Sequence, residues 1–370
     1  MIFMSGIGTY LRNLLAGLAA LGGEHEYVLL LRRADRERFP LPGPNFAFEE
    51  AEAPPYSLAE QVGLMRAVSR LGLDLIHHPH YAAPVLGRTP MVATIHDLIH
   101  QLFPEFCPSR LAWRVSRVLA RRTARRARLL LTVSEHTRRD IVAHLGVPAA
   151  KVRLTYNCLP PGWNEGGPEP AALPSALAAL GEARFFLYVG NHKRHKNLPL
   201  LLEAFARLRA SEKGVRLVLT GGRTELEGDL ARLGLGEEVV FLGEAPHEAL
   251  AAVYRRAVAL VFPSRYEGFG MPPLEAMGCG VPPIVSDAAS LPEVVGEAGL
   301  IVPVGEAAPL EEAMRRLLHD APLRERLSAR SRERARAFSW RAMAEGTLAA
   351  YRDALAAAPE TEGRPVGRAA

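Results

Sequence analysis

Two glutamates with seven residues between them stand in a segment marked by glycine and proline, Pro263-Ser264-Arg265-Tyr266-Glu267-Gly268-Phe269-Gly270-Met271-Pro272-Pro273-Leu274-Glu275-Ala276-Met277. The pattern predicts a strand ending at Pro263, a glycine-bearing loop, and a helix with proline in its first turn. The amides of Gly268, Phe269, Gly270 and Met271 would have no partner inside that helix and would carry partial positive charge. Such a turn is an anion site suited to a diphosphate. Glycine at 268 and 270 lets a ligand come close to the backbone. Glu267 on the loop and Glu275 about one turn into the helix can face one pocket, where carboxylates accept hydrogen bonds from sugar hydroxyls. An acid near a helix start is also stabilised by the dipole, so Glu275 alone has a plain structural explanation. Glu267, followed by Gly-Phe-Gly, is harder to explain that way.

A second cluster is cationic. Phe185-Phe186-Leu187-Tyr188-Val189-Gly190-Asn191-His192-Lys193-Arg194-His195-Lys196-Asn197-Leu198 runs an apolar strand into a loop with three cations and two histidines, and then into a helix. The chain has four lysines, at 151, 193, 196 and 213, and two of them lie here. Cationic loops at the carboxyl ends of strands are where α/β folds hold phosphates; an exposed basic turn is the plainer alternative. Ser5-Gly6-Ile7-Gly8-Thr9-Tyr10-Leu11 is a further glycine turn at a helix start, a weak signal alone. That kind of turn normally follows a complete strand, yet only four residues precede Ser5. The reading favours a natural start upstream of Met1 over a fold lacking most of a central strand.

The elements that must position these groups alternate along the chain. Apolar runs of strand length fall at Tyr27 to Leu31, Leu73 to His77, Met91 to Ile95, Leu129 to Val133, Phe185 to Val189, Val215 to Thr220, Val239 to Leu242, Ala259 to Pro263 and Pro283 to Ser286. Helical patterns separate them, which argues for an α/β fold of parallel βαβ units. A stretch rich in Gly, Pro and Glu near 160–174 reads as a linker. At 370 residues and 40.3 kDa the chain is long enough for two domains, and 48% hydrophobic residues with a mean hydropathy of +0.02 can fill two cores. The sequence has no apolar stretch of membrane-spanning length, no leader pattern at its start, and three scattered cysteines (Cys107, Cys158, Cys279). A disulfide framework or Cys-rich metal site is excluded, and a reducing, cytoplasmic setting is expected. The net charge of +5 and pI near 9.3 come almost wholly from arginine and do not by themselves point to nucleic acid.

With these motifs the chain resembles the retaining glycosyltransferases of family 4, the mannosyltransferase-like group 1 enzymes of GT-B fold. The resemblance runs from about residue 5 to 355. It is carried by Glu267 and Glu275, by Val189-Gly190 through Lys196-Asn197-Leu198, by Thr94-Ile95-His96-Asp97-Leu98, by Leu131-Thr132-Val133-Ser134-Glu135 and by Ser290-Leu291-Pro292-Glu293-Val294. It implies two Rossmann-like domains facing each other across a cleft: an acceptor domain over 1–165, its first strand incomplete, and a donor domain over 175–337. A helix over 338–356, from Phe338-Ser339-Trp340, would cross back to the first domain ahead of a tail at 357–370. The implied donor is a nucleoside-diphosphate sugar. Lys196 would neutralise its diphosphate, helped by Arg194 or Lys193, with Gly190 and Asn191 on the same loop. Glu275 would hold the ribose and Glu267 the donor sugar, while the amides of Phe269, Gly270 and Met271 would bind sugar and phosphate oxygens. Gly8 would bring a helix start to the phosphates, and His96 would touch the sugar or position the acceptor. Many relatives carry arginine where this chain has Asn191, which puts that part of diphosphate binding on Lys193 or Arg194.

The function expected is transfer of a hexose, mannose or glucose, to a glycan or lipid-linked acceptor with retention of configuration. No cofactor or metal is expected, since no Asp-x-Asp pair stands beside the donor motifs. The alternatives are a nucleotide-sugar epimerase on the same scaffold and a catalytically idle sugar-nucleotide binder. The base-contacting stretch, around Leu242 to Pro246, has no residue that decides the base. His77-His78-Pro79-His80 lacks the neighbouring ligands of a metal site, although His77 could line the cleft. Arginines at 110, 114, 117, 121, 125 and 128 share one helical face, while Leu111, Val115, Val118 and Leu119 mark an apolar one. The arginine stripe is read either as a solvated face or as a patch for an anionic membrane surface, peripheral at the inner face. It lacks the interleaved aromatics of a nucleic-acid site.

Overall fold

The computed structural model describes residues 2–3, 6–51, 58–83, 87–160, 163, 175–243 and 247–356. Met1, Met4, Ser5, most of the linker stretch (161–162 and 164–174), residues 244–246 of the base-contacting stretch and the tail at 357–370 lie outside the described residues. The chain divides into two compact units. One comprises Met1–Val133, Arg138–Thr155 and Arg341–Ala370; the other comprises Ser134–Thr137 and Tyr156–Trp340.

In the first unit the strands are β1 (Tyr27–Leu31), β2 (Phe46–Glu50), β3 (Ile76–His78), β4 (Met91–Ile95), β5 (Leu129–Thr132) and β6 (Val152–Leu154). All pair in parallel, but in two separate sheets among the described residues: β1-β2, and β3-β4-β5-β6. Met91-Val92-Ala93-Thr94-Ile95 is buried along its whole length, as a continuous apolar run covered on both faces should be. Its neighbour β3 begins at Ile76, because Ile76 N is the first amide to reach across, to Pro90 O. Strand pairing thus starts three residues later than the apolar run from Leu73 suggests. The helix Trp340–Ala356 belongs to this unit and buries Met343, Ala344, Thr347, Leu348, Ala350 and Ala354.

The second unit holds β7 (Phe185–Tyr188), β8 (Arg216–Leu219), β9 (Val239–Phe241), β10 (Ala259–Phe262), β11 (Pro283–Ser286) and β12 (Leu300–Val302). They form one parallel sheet in the order β12-β11-β10-β7-β8-β9. The chain builds outward from β7 through β8 to β9, then returns to the other side of β7 and builds outward again. This is a doubly wound sheet with its switch point between β7 and β10. β7, β10 and β11 are buried at every residue, the signature of central strands covered by helices on both faces.

The helix Arg110–Arg126 differs from the sequence expectation in two ways. Its buried residues are the small ones, Ser116, Ala120, Thr123 and Ala124, whereas Leu111, Val115 and Val118 are 71%, 48% and 49% exposed. Three of the four residues of the apolar face read from the sequence therefore lie on the outside, and alanine, serine and threonine make the packed face. Arg128, counted with the arginine stripe, lies beyond the helix end and donates from its guanidinium to Ala354 O (2.9 Å). Among the described residues no helix is long and apolar enough to cross a membrane.

Candidate functional site

The switch point of the second unit sends two loops from adjacent strands, one after β7 and one after β10. Topology alone therefore brings together segments about 70 residues apart in sequence. Lys196 Nζ lies 2.7 Å from Glu267 Oε1, with both side chains 13% exposed. The ammonium also sits over the Phe262 ring, 5.1 Å from its centroid. The two loops are tied by backbone as well, since Arg265 N donates to His195 O (2.8 Å). Asn197 adopts the left-handed conformation (φ 59°) that ends the short 3-10 turn Arg194–Lys196, and its Nδ2 donates to Pro263 O (3.3 Å). That turn fixes Lys196 against Glu267.

Gly190 permits the first loop. Its φ is 152°, and a Cβ there would stand 2.9 Å from the Tyr188 hydroxyl. That hydroxyl donates to Asn191 O (2.6 Å), and burial pushes the phenol's pKa up. Asn191 Oδ1 accepts from Lys193 N (3.3 Å), so its side chain folds back onto its own loop. Lys193 and Arg194 are exposed.

The second loop leads into the helix Met271–Gly278, whose N-cap Gly270 has φ 110° and no space for a Cβ, which would lie 2.9 Å from Leu291 Cδ2. Glu275 is 7% exposed, and its Oε2 accepts from Tyr254 OH (2.8 Å). Burial raises the Glu275 pKa to about 7, opposed by the Tyr254 hydrogen bond. Glu267 O and Phe269 O both accept from Ser290 Oγ (2.9 and 2.8 Å), and Ser286 Oγ donates to Ser264 O. Gly268 O accepts from Thr137 Oγ1 (3.2 Å). The carbonyls of Glu267, Gly268 and Phe269 are thus engaged by side-chain hydroxyls. Tyr254, Ser290 and Asn197 carry this arrangement; Ser290 and Asn197 lie in segments that carry the resemblance but were given no role there, and Tyr254 was not singled out. Nothing local marks them, because their partners lie 21 to 66 residues away.

In the first unit, His96 Nε2 donates to Pro79 O (3.1 Å), and the ring stands edge-on to Tyr10 with centroids 4.7 Å apart. Burial holds its pKa down to about 4, against the Pro79 hydrogen bond that raises it. His96 is therefore a neutral imidazole at pH 7. Tyr10 OH meets Thr94 Oγ1 (2.9 Å), and His77 bridges Thr94 Oγ1 (2.7 Å) and Tyr351 OH (2.6 Å). Burial lowers His77 to about 3, with the nearby His78 and His96 adding to the effect, so it donates from one nitrogen and accepts at the other. Gly8 has its own local reason: a Cβ would lie 2.5 Å from Ile2 O. No group of three or more His, Cys, Asp or Glu among the described residues could hold a metal ion.

Comparison with known proteins defines the class. A family profile described as "Glycosyl transferases group 1" matches residues 173–334, and one described as "Glycosyltransferase Family 4" matches residues 4–162. O-antigen chain mannosyltransferase B of Escherichia coli is 33% identical over 287 residues, covering 75% of this chain and 74% of that protein. Sucrose-phosphate synthase from Thermosynechococcus elongatus superposes with a TM-score of 0.78 at 24% identity, covering 96% of this chain and 94% of that one. Anabaena HepE in complex with UDP-glucose superposes with a TM-score of 0.75 at 20% identity, covering 95% and 96%. The protein is a glycosyltransferase with the two Rossmann-like domains of the GT-B fold. It belongs to the group 1 glycosyltransferases of family 4.

The Lys196–Glu267 pair yields a test that is independent of ligand. Removing one partner leaves a nearly buried charge uncompensated, which costs more than removing both. Lys196→Met and Glu267→Gln should each destabilise the protein by about 1–3 kcal/mol, with a coupling of about 1–2 kcal/mol in the double mutant. Chemical denaturation measures this, and strictly additive losses would show that the pair does not interact.

Proposed function

We propose that this glycosyltransferase moves a hexose, mannose or glucose, from a nucleoside-diphosphate sugar to a glycan or lipid-linked acceptor, with retention and without a metal. The observation that carries the proposal is the convergence of Lys196, Glu267 and the Gly268–Met271 turn at one switch point. The E. coli relative named as an O-antigen chain mannosyltransferase and the HepE complex with UDP-glucose support the choice of donor and sugar class.

Breaking the anomeric C–O bond leaves negative charge on the departing diphosphate and positive charge on the sugar. In this reading Lys196 and the amides of Phe269 to Met271 take up the former, in a preorganised site that also does what a metal would otherwise do. An ammonium has three donors, so Lys196 can hold a phosphate oxygen while keeping Glu267. Glu267 then orients the donor sugar's hydroxyls; a carboxylate already paired to a lysine is a poor nucleophile, which favours attack by the acceptor on the leaving-group face. Glu275 accepts from the ribose. Asn191 is turned into its own loop, so the second cation on the diphosphate is Arg194 or Lys193. Neutral His96 is suited to hydrogen bonding with the sugar or acceptor rather than to charge pairing.

The acceptor's setting is read from the helix Arg110–Arg126. It carries seven arginines and no acid, and Leu111, Val115 and Val118 are exposed beside Arg114, Arg121 and Arg125. Exposed apolar residues flanked by arginine complement an anionic lipid surface, where the chains insert shallowly and the guanidinium groups meet phosphates. A cytoplasmic enzyme peripheral at the inner membrane face follows.

Two measurements test this. A panel of nucleotide sugars with glycan and lipid acceptors in chelator should give nucleoside-diphosphate release from one donor. Lys196→Ala should cut that turnover by about 10²–10³ while Glu275→Gln mainly raises donor KM; full turnover in Lys196→Ala would contradict the assignment. Replacing Arg117, Arg121 and Arg125 with Gln should weaken binding to phosphatidylglycerol vesicles but not to neutral ones, and unchanged binding would remove the membrane role.

A further inference from the structure

Strand β11 pairs with β10 on the side away from β7, and the turn that follows it, Asp287-Ala288-Ala289-Ser290, meets the loop after β10. Among the described residues two that are not glycine have left-handed backbone, Asn197 (φ 59°) and Ala289 (φ 53°), and both flank the candidate site. Alanine pays a steric penalty in that conformation, so the surrounding structure must impose it. Asn197 ends the turn that presents Lys196, and Ala289 sets the direction in which the chain delivers Ser290. Ser290 stands at the N-cap of the helix Leu291–Val295, where a serine oxygen ordinarily accepts from the first amides of its own helix. Its side chain makes no such bond. It is fully buried, and the hydroxyl reaches instead to Glu267 O (2.9 Å) and Phe269 O (2.8 Å), 23 and 21 residues away. Leu291 closes on the same loop, since its Cδ2 lies 2.9 Å from where a Cβ on Gly270 would stand.

Peptide planarity converts those two contacts into statements about amides. In a trans peptide the C=O of one residue and the N–H of the next point in opposite directions, and the described residues contain no cis bond. Holding Glu267 O therefore directs the Gly268 N–H, and holding Phe269 O directs the Gly270 N–H, both away from Ser290. Among the described residues no hydrogen bond engages the amides of Gly268, Phe269, Gly270 or Met271. Glycine at 268 and 270 gives these two peptides the freedom to rotate, and a flip of either would put a carbonyl where an amide had been.

We propose that Ser290 is the positioning residue of this turn: its buried hydroxyl locks the 267–268 and 269–270 peptides so that the amides of Gly268 and Gly270 face the departing diphosphate, with Ala289 holding the hydroxyl in place. The proposal rests on the reading of this turn as a diphosphate site. Ser290 touches no ligand and acts through the backbone alone. Donors fixed in this way need no reorientation as negative charge builds up on the leaving group. One hydroxyl proton serves both carbonyls, so losing it releases two peptides together.

The test compares the whole chain with its Ser290→Ala and Ser290→Cys variants. Calorimetric titration with GDP, UDP, ADP and TDP gives affinity, and hydrolysis of the matching nucleoside-diphosphate mannose and glucose gives kcat. Ser290→Ala should weaken the affinity for the nucleotide that binds by about tenfold and lower kcat by about 10–10²-fold, short of the about 10²–10³ that deleting a direct oxyanion donor costs. A thiol is a weaker donor than a hydroxyl, so Ser290→Cys should recover part of both losses. Packing alone would follow side-chain size, and a Cys variant no better than Ala overturns the proposal. Should Ser290→Ala not fold, Ser290→Cys carries the test by itself, and unaltered affinity and kcat in it overturn the proposal. If the unmodified chain binds one nucleotide and Ser290→Ala binds and hydrolyses as well as it does, the proposal alone falls. If the unmodified chain binds none of the four, the diphosphate reading fails and takes the proposal with it.

Discussion

The candidate site of this glycosyltransferase depends on one topological constraint, the reversal of strand order between β7 and β10. Because β8 and β9 are laid down on one side of β7 and β10 to β12 on the other, the loops that leave β7 and β10 come out side by side. Lys196 and Glu267 meet there at 2.7 Å, and the turn into Met271–Gly278 presents its amides to the same place. Each feature is ordinary alone: a lysine on a basic loop, a glutamate before a glycine. The reversal makes them one site.

The supporting hydrogen bonds hold the loop after β10 in shape through side-chain hydroxyls. Ser290 uses one hydroxyl to hold the carbonyls of Glu267 and Phe269, while Thr137 holds that of Gly268. With those acceptors engaged, the amides that remain define the loop's polarity. Glu275 is kept in place by Tyr254 from the neighbouring helix, and burial brings it close to titrating at neutral pH.

Much of this was legible from the residues themselves. The central strands announce themselves as unbroken apolar runs, as in Phe185-Phe186-Leu187-Tyr188 and Pro283-Ile284-Val285-Ser286, because both faces are covered. The glycines at 190 and 270 mark backbone that a Cβ would obstruct. Other parts were not legible. β2, β6 and β12 escaped notice because Phe-Ala-Phe-Glu-Glu, Val-Arg-Leu and Leu-Ile-Val are short or half polar, and only pairing with a neighbour defines them. The packed face of Arg110–Arg126 is made of alanine, serine and threonine, a pattern that its larger exposed Leu111, Val115 and Val118 conceal. Tyr254 and Ser290 act through partners far away in sequence, so no spacing rule finds them. The His77–Thr94–Tyr10 chain likewise exists only once three elements have packed.

The central claim is that the loops after β7 and β10 hold a nucleoside diphosphate. The most direct measurement is thermal unfolding in chelator with GDP, UDP, ADP and TDP, each supplied in large excess. A nucleotide at about 100 times its dissociation constant stabilises the folded state by roughly 2.7 kcal/mol, so one member of the panel should raise the midpoint clearly and name the base. A midpoint unmoved by all four would contradict the account.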